Sequence, residues 1–127
     1  MTAQPTPDPR RGEIWLVDFD PALGAEQRKL RPAVVVSVGS IGRLPLRIVV
    51  PVTGWHERYE ALPWFVRIPA AKRTRLAKDS GADTFQVKSV ALERFQDRLG
   101  EVSADQLEEI VAGIALCVGF RPRAQSA

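Results

Sequence analysis

The chain has 127 residues, 45% of them apolar, which fits one globular domain with a sizeable core. A single cysteine, Cys117, excludes an internal disulfide and a cysteine-based zinc site, and no stretch approaches the ~20 apolar residues of a membrane span. Net charge is only +3, but Leu23 to Lys78 holds eleven Lys or Arg against three acids, whereas Asp79 to Glu109 holds eight acids against three bases.

Residues 1–9 carry Pro5, Pro7 and Pro9 and read as a disordered tail, as do residues 121–127, leaving 10–120 as the single expected domain. The N-terminus shows no apolar leader, so the expected location is cytoplasmic, in keeping with cysteine usage suited to a reducing compartment. A first strand is predicted over Glu13–Asp20, where Val17 and Phe19 alternate with Asp18 and Asp20. Pro21 and Gly24 begin a loop, and Pro32 is expected to open a second strand whose run Val34–Val38 reads as buried on both faces. A third strand is predicted over Leu46–Val52, with Pro51 marking an edge or bulge. A fourth is expected over Leu62–Ile68, a fifth over Thr84–Val90, and a short helical piece over Leu92–Leu99. A long helix begins after Ser103, which forms a capping-box pattern with Gln106. Leu107, Ile110, Val111, Ile114 and Val118 make its apolar stripe, and Gly119 fits a C-terminal cap. The predicted architecture is mainly β with a C-terminal helix: a small, curved, partly open barrel with the helix over one end.

The chemistry concentrates in Glu26-Gln27-Arg28-Lys29-Leu30-Arg31-Pro32, a charged connection between two strand patterns. Three cations in a loop on a rigid sheet suit an anionic ligand, phosphate above all. The competing reading of the whole basic window is a set of solvent-facing arginines on strands. Trp55 and Tyr59 stand beside His56 and Arg58, and aromatics interleaved with cations suit single-stranded RNA, although Trp55 in the core or an interface fits equally. Trp15 and Trp64 lie in strand patterns and read as core.

Ordered along the chain, Arg11–Pro21, Gly24–Gln27, Arg31–Val35, Val50–Thr53, Lys78–Ser80 and Gln86–Val90 resemble the MazF/PemK-like toxins of bacterial toxin–antitoxin systems, as does the closing Leu99-Gly100 with its helix. The resemblance implies an SH3-like small barrel (the MazF/CcdB-like fold) that forms a homodimer. It implies a sequence-specific, metal-independent endoribonuclease: the 2′-hydroxyl of single-stranded RNA attacks the adjacent phosphate, leaving a 2′,3′-cyclic phosphate and a 5′-hydroxyl. A cognate acidic antitoxin is the implied partner. The catalytic arginine preceding proline falls on Arg31 and the catalytic threonine on Thr53. Glu26, Gln27, Arg28, Lys29, Trp55, His56, Gln86 and Lys88 are the expected RNA-contacting residues, and no cofactor or metal ligand is expected. The chain departs from the pattern at Ala25, usually small and polar, at Phe85, commonly acidic, and at Gly81, expected apolar.

The inventory suits this chemistry. RNA brings its own nucleophile, so the protein has mainly to orient it and stabilise charge on phosphorus. Arg31 can donate several hydrogen bonds to non-bridging oxygens, and Thr53 one more. Glu26 pairs with Arg28 or Arg31, or it touches RNA; Gln27 reads a base or binds loop backbone. Water, Glu26 and His56 are all open as acceptors of the 2′-hydroxyl proton. Two other classes stay open beside the nuclease: a CcdB-like toxin that binds gyrase without catalysis, and a non-catalytic nucleic-acid-binding module.

Overall fold

The computed structural model describes residues 6–39 and 43–121. Seven strands, β1 (Glu13–Asp18), β2 (Leu30–Val35), β3 (Leu46–Gly54), β4 (Phe65–Ile68), β5 (Ser80–Asp83), β6 (Lys88–Ala91) and β7 (Phe95–Glu101), precede one helix, α1 (Ala104–Cys117). All pairings are antiparallel, in the order β4-β5-β3-β2-β1-β7, with β6 also on β3. The expected mainly-β architecture closed by a C-terminal helix is therefore the one observed.

Both faces of the central strands are buried, and alternation sorts their residues into two cores. Ile14, Val34, Val36, Val50 and Val52 join Val66, Ile68 and Ile110 in one, beneath the helix. Val17, Ala33, Val35 and Val49 join Phe19, Val90 and Phe95 in the other. This accounts for the unbroken β-branched run at Val34–Val36, the part of the predicted two-face segment that the structure bears out. Val38, by contrast, lies beyond β2 and is exposed.

Several boundaries differ from expectation, each for a local reason. The second strand starts at Leu30, so Pro32 lies inside it, opposite Leu16. Pro51 also lies inside its strand, where β3 changes partner from β6 (through Val49) to β5 (from Val52), a break in the ladder that tolerates a missing N–H. The predicted fourth strand is shortened to Phe65–Ile68 because Leu62–Phe65 forms a turn, closed by Phe65 N donating to the Leu62 carbonyl at 3.1 Å. The predicted fifth strand is split: Thr84–Gln86 is a 3-10 turn between β5 and β6. In the predicted Leu92–Leu99 helix only Leu92–Arg94 turns, and β7 then pairs with β1. Residues 6–9 lack regular structure, yet the tail is anchored at this point: Pro9 is buried and its carbonyl accepts from Arg47 Nε at 2.9 Å. The remainder of the predicted tails, residues 1–5 and 122–127, lies outside the described residues.

The helix follows its sequence signals at both ends. Ser103 Oγ accepts from Gln106 N at 3.1 Å, and Gln106 Oε1 accepts from Ser103 N at 2.8 Å. Gly119, at φ 74°, closes the other end with Phe120 N to the Ala115 carbonyl at 2.9 Å and Gly119 N to that of Leu116 at 3.2 Å. The stripe is narrower than predicted: Ile110 is buried and Leu107 and Ile114 pack on the core, but Val111 and Val118 face outward. Gly113 takes the buried position between them, and a Cβ there would stand 2.8 Å from the Thr84 side chain.

Candidate functional site

The β1–β2 loop carries the charged segment, and most of its polar groups are spent on holding it. Lys29, at φ 64°, turns the chain; its N–H donates to Asp20 Oδ1 at 3.0 Å and its carbonyl accepts from Phe19 N at 2.9 Å. Arg94 donates to the carbonyls of Asp18 and Asp20. Gln86 braces the loop from the 3-10 turn between β5 and β6: Nε2 donates to the Ala25 carbonyl at 2.9 Å, and Oε1 accepts from Gln27 N at 3.2 Å. Glu26 Oε1 accepts from Leu23 N at 3.1 Å while its Oε2 lies 3.9 Å from Lys88 Nζ. Its ionic partner is thus Lys88, not the expected Arg28 or Arg31. Arg28 donates to the Gly24 carbonyl at 3.2 Å. The structure brings six predicted residues, Glu26, Gln27, Arg28, Lys29, Gln86 and Lys88, into one loop assembly. Arg94 completes it, and nothing in its sequence context marked it.

Arg31 leaves this loop on β2. The β2–β3 register pairs Ala33 with Pro51, Val34 with Val50 and Val35 with Val49. That ladder ends at Ala33 and Pro51, and Arg31 and Thr53 each lie two residues beyond its end on the two neighbouring strands. On its other side Arg31 faces Val17, and Thr53 is paired with Gly81 of β5. Arg31 is half-buried, and its Nε is buried with no hydrogen-bond partner. An unpaired buried donor costs about 1–3 kcal/mol, more when it belongs to a charged group. An acceptor brought to this position would satisfy that donor.

Beyond Thr53 stands a wall of aromatics. Tyr59 stacks on Phe65 at 3.9 Å and 9°, and Trp55 meets Tyr59 edge-on at 5.6 Å. Arg67 lies over the Trp55 ring at 5.1 Å, and Arg58 over Tyr59 at 5.4 Å. Gly81 does not loosen its strand as expected. It makes room for this wall, since a Cβ there would stand 3.1 Å from both Phe65 and Trp55. Trp55 is therefore packed between Arg67 and the sheet rather than free to stack. His56 caps the following 3-10 turn, Nδ1 accepting from Arg58 N at 3.2 Å. Of the two tryptophans read as core, Trp15 packs on Phe95, whereas Trp64 is half-buried beside Phe85.

Charge around the site is sorted by the fold. The Ala70 N–H and the Arg67 guanidinium hold the Asp79 carboxyl below the usual range, so Arg67 is already neutralised. Burial raises the Asp83 carboxyl, against hydrogen bonds from Phe85, Trp64 and Gln86. In the basic run after β4, Arg73 pairs with Glu101, but the Lys78 stem lies across Gly54 with Nζ 3.0 Å from where a Cβ would stand.

Residues 10–118 match the sequence profile of the PemK-like, MazF-like toxin of type II toxin–antitoxin systems. The chain belongs to this family. It is 39% identical over 113 residues to endoribonuclease MazF9 of Mycobacterium tuberculosis (strain ATCC 25618 / H37Rv), covering 84% of this chain and 93% of that protein. Its fold is similar to the crystal structure of MazF from Deinococcus radiodurans, with a TM-score of 0.75 at 27% identity, over 88% of this chain and 97% of that one. A mycobacterial endoribonuclease solved in complex with its cognate antitoxin shares the fold at a TM-score of 0.70 and 17% identity, over 91% and 100%.

Proposed function

We propose that this MazF-like toxin is a sequence-specific, metal-independent endoribonuclease that cuts single-stranded RNA, with Arg31 and Thr53 as its catalytic pair. The observation that carries this reading is the half-buried Arg31 with an unpartnered Nε, on the strand next to the one that carries Thr53. The RNA 2′-oxygen attacks the adjacent phosphorus, the bond to the 5′-oxygen breaks, and water protonates that oxygen as it leaves. Products are a 2′,3′-cyclic phosphate and a 5′-hydroxyl. Arg31 stays protonated and donates to the non-bridging oxygens as charge builds there. Thr53 donates a further bond or positions the 2′-hydroxyl. Among the described residues no three His, Cys, Asp or Glu side chains converge.

Around this pair the RNA runs along the β1–β2 loop. Arg28 and Lys29, both exposed, attract the backbone, and the Gln27 side chain addresses a base edge. Glu26, Gln86 and Lys88 border the strand and keep the loop in shape, and Trp55 and His56 form the opposite wall. With both candidate side-chain bases engaged locally, Glu26 with Leu23 and His56 with Arg58, water is the acceptor of the 2′-hydroxyl proton.

An acidic antitoxin segment covers the same loop surface, and related toxins have been solved in complex with their antitoxins. A homodimer is supported by the exposed apolar side chains Val38, Leu44, Leu46 and Ile48, which border one surface depression that a second copy would cover. A cytoplasmic location belongs to the toxin–antitoxin reading; separately, no described helix is long and apolar enough to cross a membrane. The test is cleavage of a long single-stranded RNA in EDTA beside DNA of the same sequence. RNA alone should be cut, and Arg31→Ala should abolish cutting while its melting temperature stays near wild type. Loss of cutting in EDTA, or near-normal cutting by Arg31→Ala, would overturn the assignment.

A further inference from the structure

Phe85 is an exposed aromatic that the proposed chemistry leaves unused. Its side chain is 66% exposed, although it stands in a rigid part of the molecule. Asp83 Oδ1 accepts from its N–H at 3.2 Å. Thr84, fully buried before it, donates its hydroxyl to the Trp64 carbonyl at 2.6 Å. Gln86, directly after it, is bonded at both ends of its amide to the β1–β2 loop. The ring meets Trp64 at 6.0 Å and 60°, an edge contact that fixes it and leaves most of it open.

A phenylalanine held rigid and exposed forgoes the hydrophobic stabilisation it would gain if covered. This one stands beside the residue that clamps the loop leading to Arg31, so a strand lying on that loop passes it. The other aromatics near the site are taken: Tyr59 is stacked on Phe65 and covered by Arg58, and Trp55 lies between Arg67 and the sheet. Resting on the ribonuclease reading above, we infer that Phe85, backed by Trp64, is a base-stacking subsite that holds an unpaired nucleobase of the RNA beside the cleaved phosphate. The exposed Arg28 and Lys29 supply the phosphate contacts along the same path, as aromatic platforms for single strands require. Stacking tolerates every base, so Phe85 contributes affinity and placement at one nucleotide rather than base identity.

The test uses the full chain and an oligoribonucleotide that it cuts, prepared with one abasic residue at each position in turn. Binding is measured on versions with a 2′-deoxy sugar at the cut position, and single-turnover cleavage on the all-ribose versions. Phe85→Ala should weaken binding of the intact oligonucleotide about tenfold, and Phe85→Trp should restore it. The loss should vanish at one abasic position only, the nucleotide that stacks on the ring. An equal loss at every abasic position, or unchanged RNA binding by Phe85→Ala, overturns the subsite while wild-type cleavage keeps the ribonuclease reading intact. Loss only of dimer or antitoxin affinity would assign the ring to a protein interface and also overturn it. A wild type that neither binds nor cuts RNA overturns both.

Discussion

Two arginines at opposite ends of neighbouring strands show how the fold separates support from chemistry. Arg47 on β3 uses four of its five N–H donors: it donates to the carbonyls of Pro9, Leu44 and Leu46 at 2.9, 3.0 and 2.9 Å and to Asp8 at 3.0 Å. Arg31 on β2 is also half-buried, yet its Nε has no partner. The same side chain is a staple at one end of the sheet and an open donor at the other. A cation whose donors are nearly all used contributes to stability; one whose donors are spared contributes to recognition of an anion. The cationic window read from the sequence is thus not one surface. Arg67 and Arg73 are paired with acids, whereas Arg28 and Lys29 stay exposed on the loop.

The contrast predicts opposite phenotypes. Arg31→Ala should lower the single-turnover cleavage rate by about 10²–10³-fold or more, as loss of a charge-stabilising donor does, while thermal denaturation shows little change. Arg47→Ala should do the reverse, costing about 2 kcal/mol in chemical denaturation while the folded fraction cuts at the wild-type rate. If the two substitutions gave the same phenotype, the division would be wrong. A smaller effect should come from Gln86→Ala, which releases both ends of the loop clamp: cleavage should slow about tenfold through misplacement of the loop, with stability changed by under about 1 kcal/mol.

Sequence made the apolar framework legible and the division of labour illegible. The β-branched run at Val34–Val36 and the Ser103/Gln106 box dictate local structure through spacing alone, and both appear as expected. Arg31 and Thr53 are proposed through family resemblance, because nothing in an Arg-Pro dipeptide shows that its donor will be left unpaired. The strand β7 was misread as helix because its residues, Phe95–Glu101, alternate weakly and are ordered by pairing with β1 across 80 or so positions of chain. Gly81 looked like a weakness, and only the contact with Trp55 and Phe65 shows that the missing side chain is filled by its neighbours. Gln86 and Lys88 read as RNA contacts, whereas their bonds to Ala25, Gln27 and Glu26 run through tertiary structure that no local pattern records.

The smallest predicted effect is on pH, and it belongs to the supporting half of the molecule. Burial alone would raise the Glu13 carboxyl, but hydrogen bonds from Arg98, Trp15 and the Arg10 N–H outweigh it and hold the group below its ordinary value. A lowered carboxylate stabilises the fold above the unfolded-state pKa, and that contribution is lost as pH falls through the lower folded-state value. Glu13→Gln should therefore cost about 1 kcal/mol at neutral pH and almost nothing in strong acid, read by denaturation at both pH values. A cost independent of pH would mean that Glu13 acts by packing and not by charge.

The central claim is that the protein makes RNA cut itself at a phosphate held by Arg31 and Thr53. It is tested most directly by replacing the single ribose at a mapped cut position with 2′-deoxyribose, in EDTA, and mapping the products. The account predicts that cutting there stops completely while other sites in the same molecule are still cut and end in 2′,3′-cyclic phosphate. Cutting at the substituted position would show that the nucleophile is not the neighbouring 2′-hydroxyl and would contradict it.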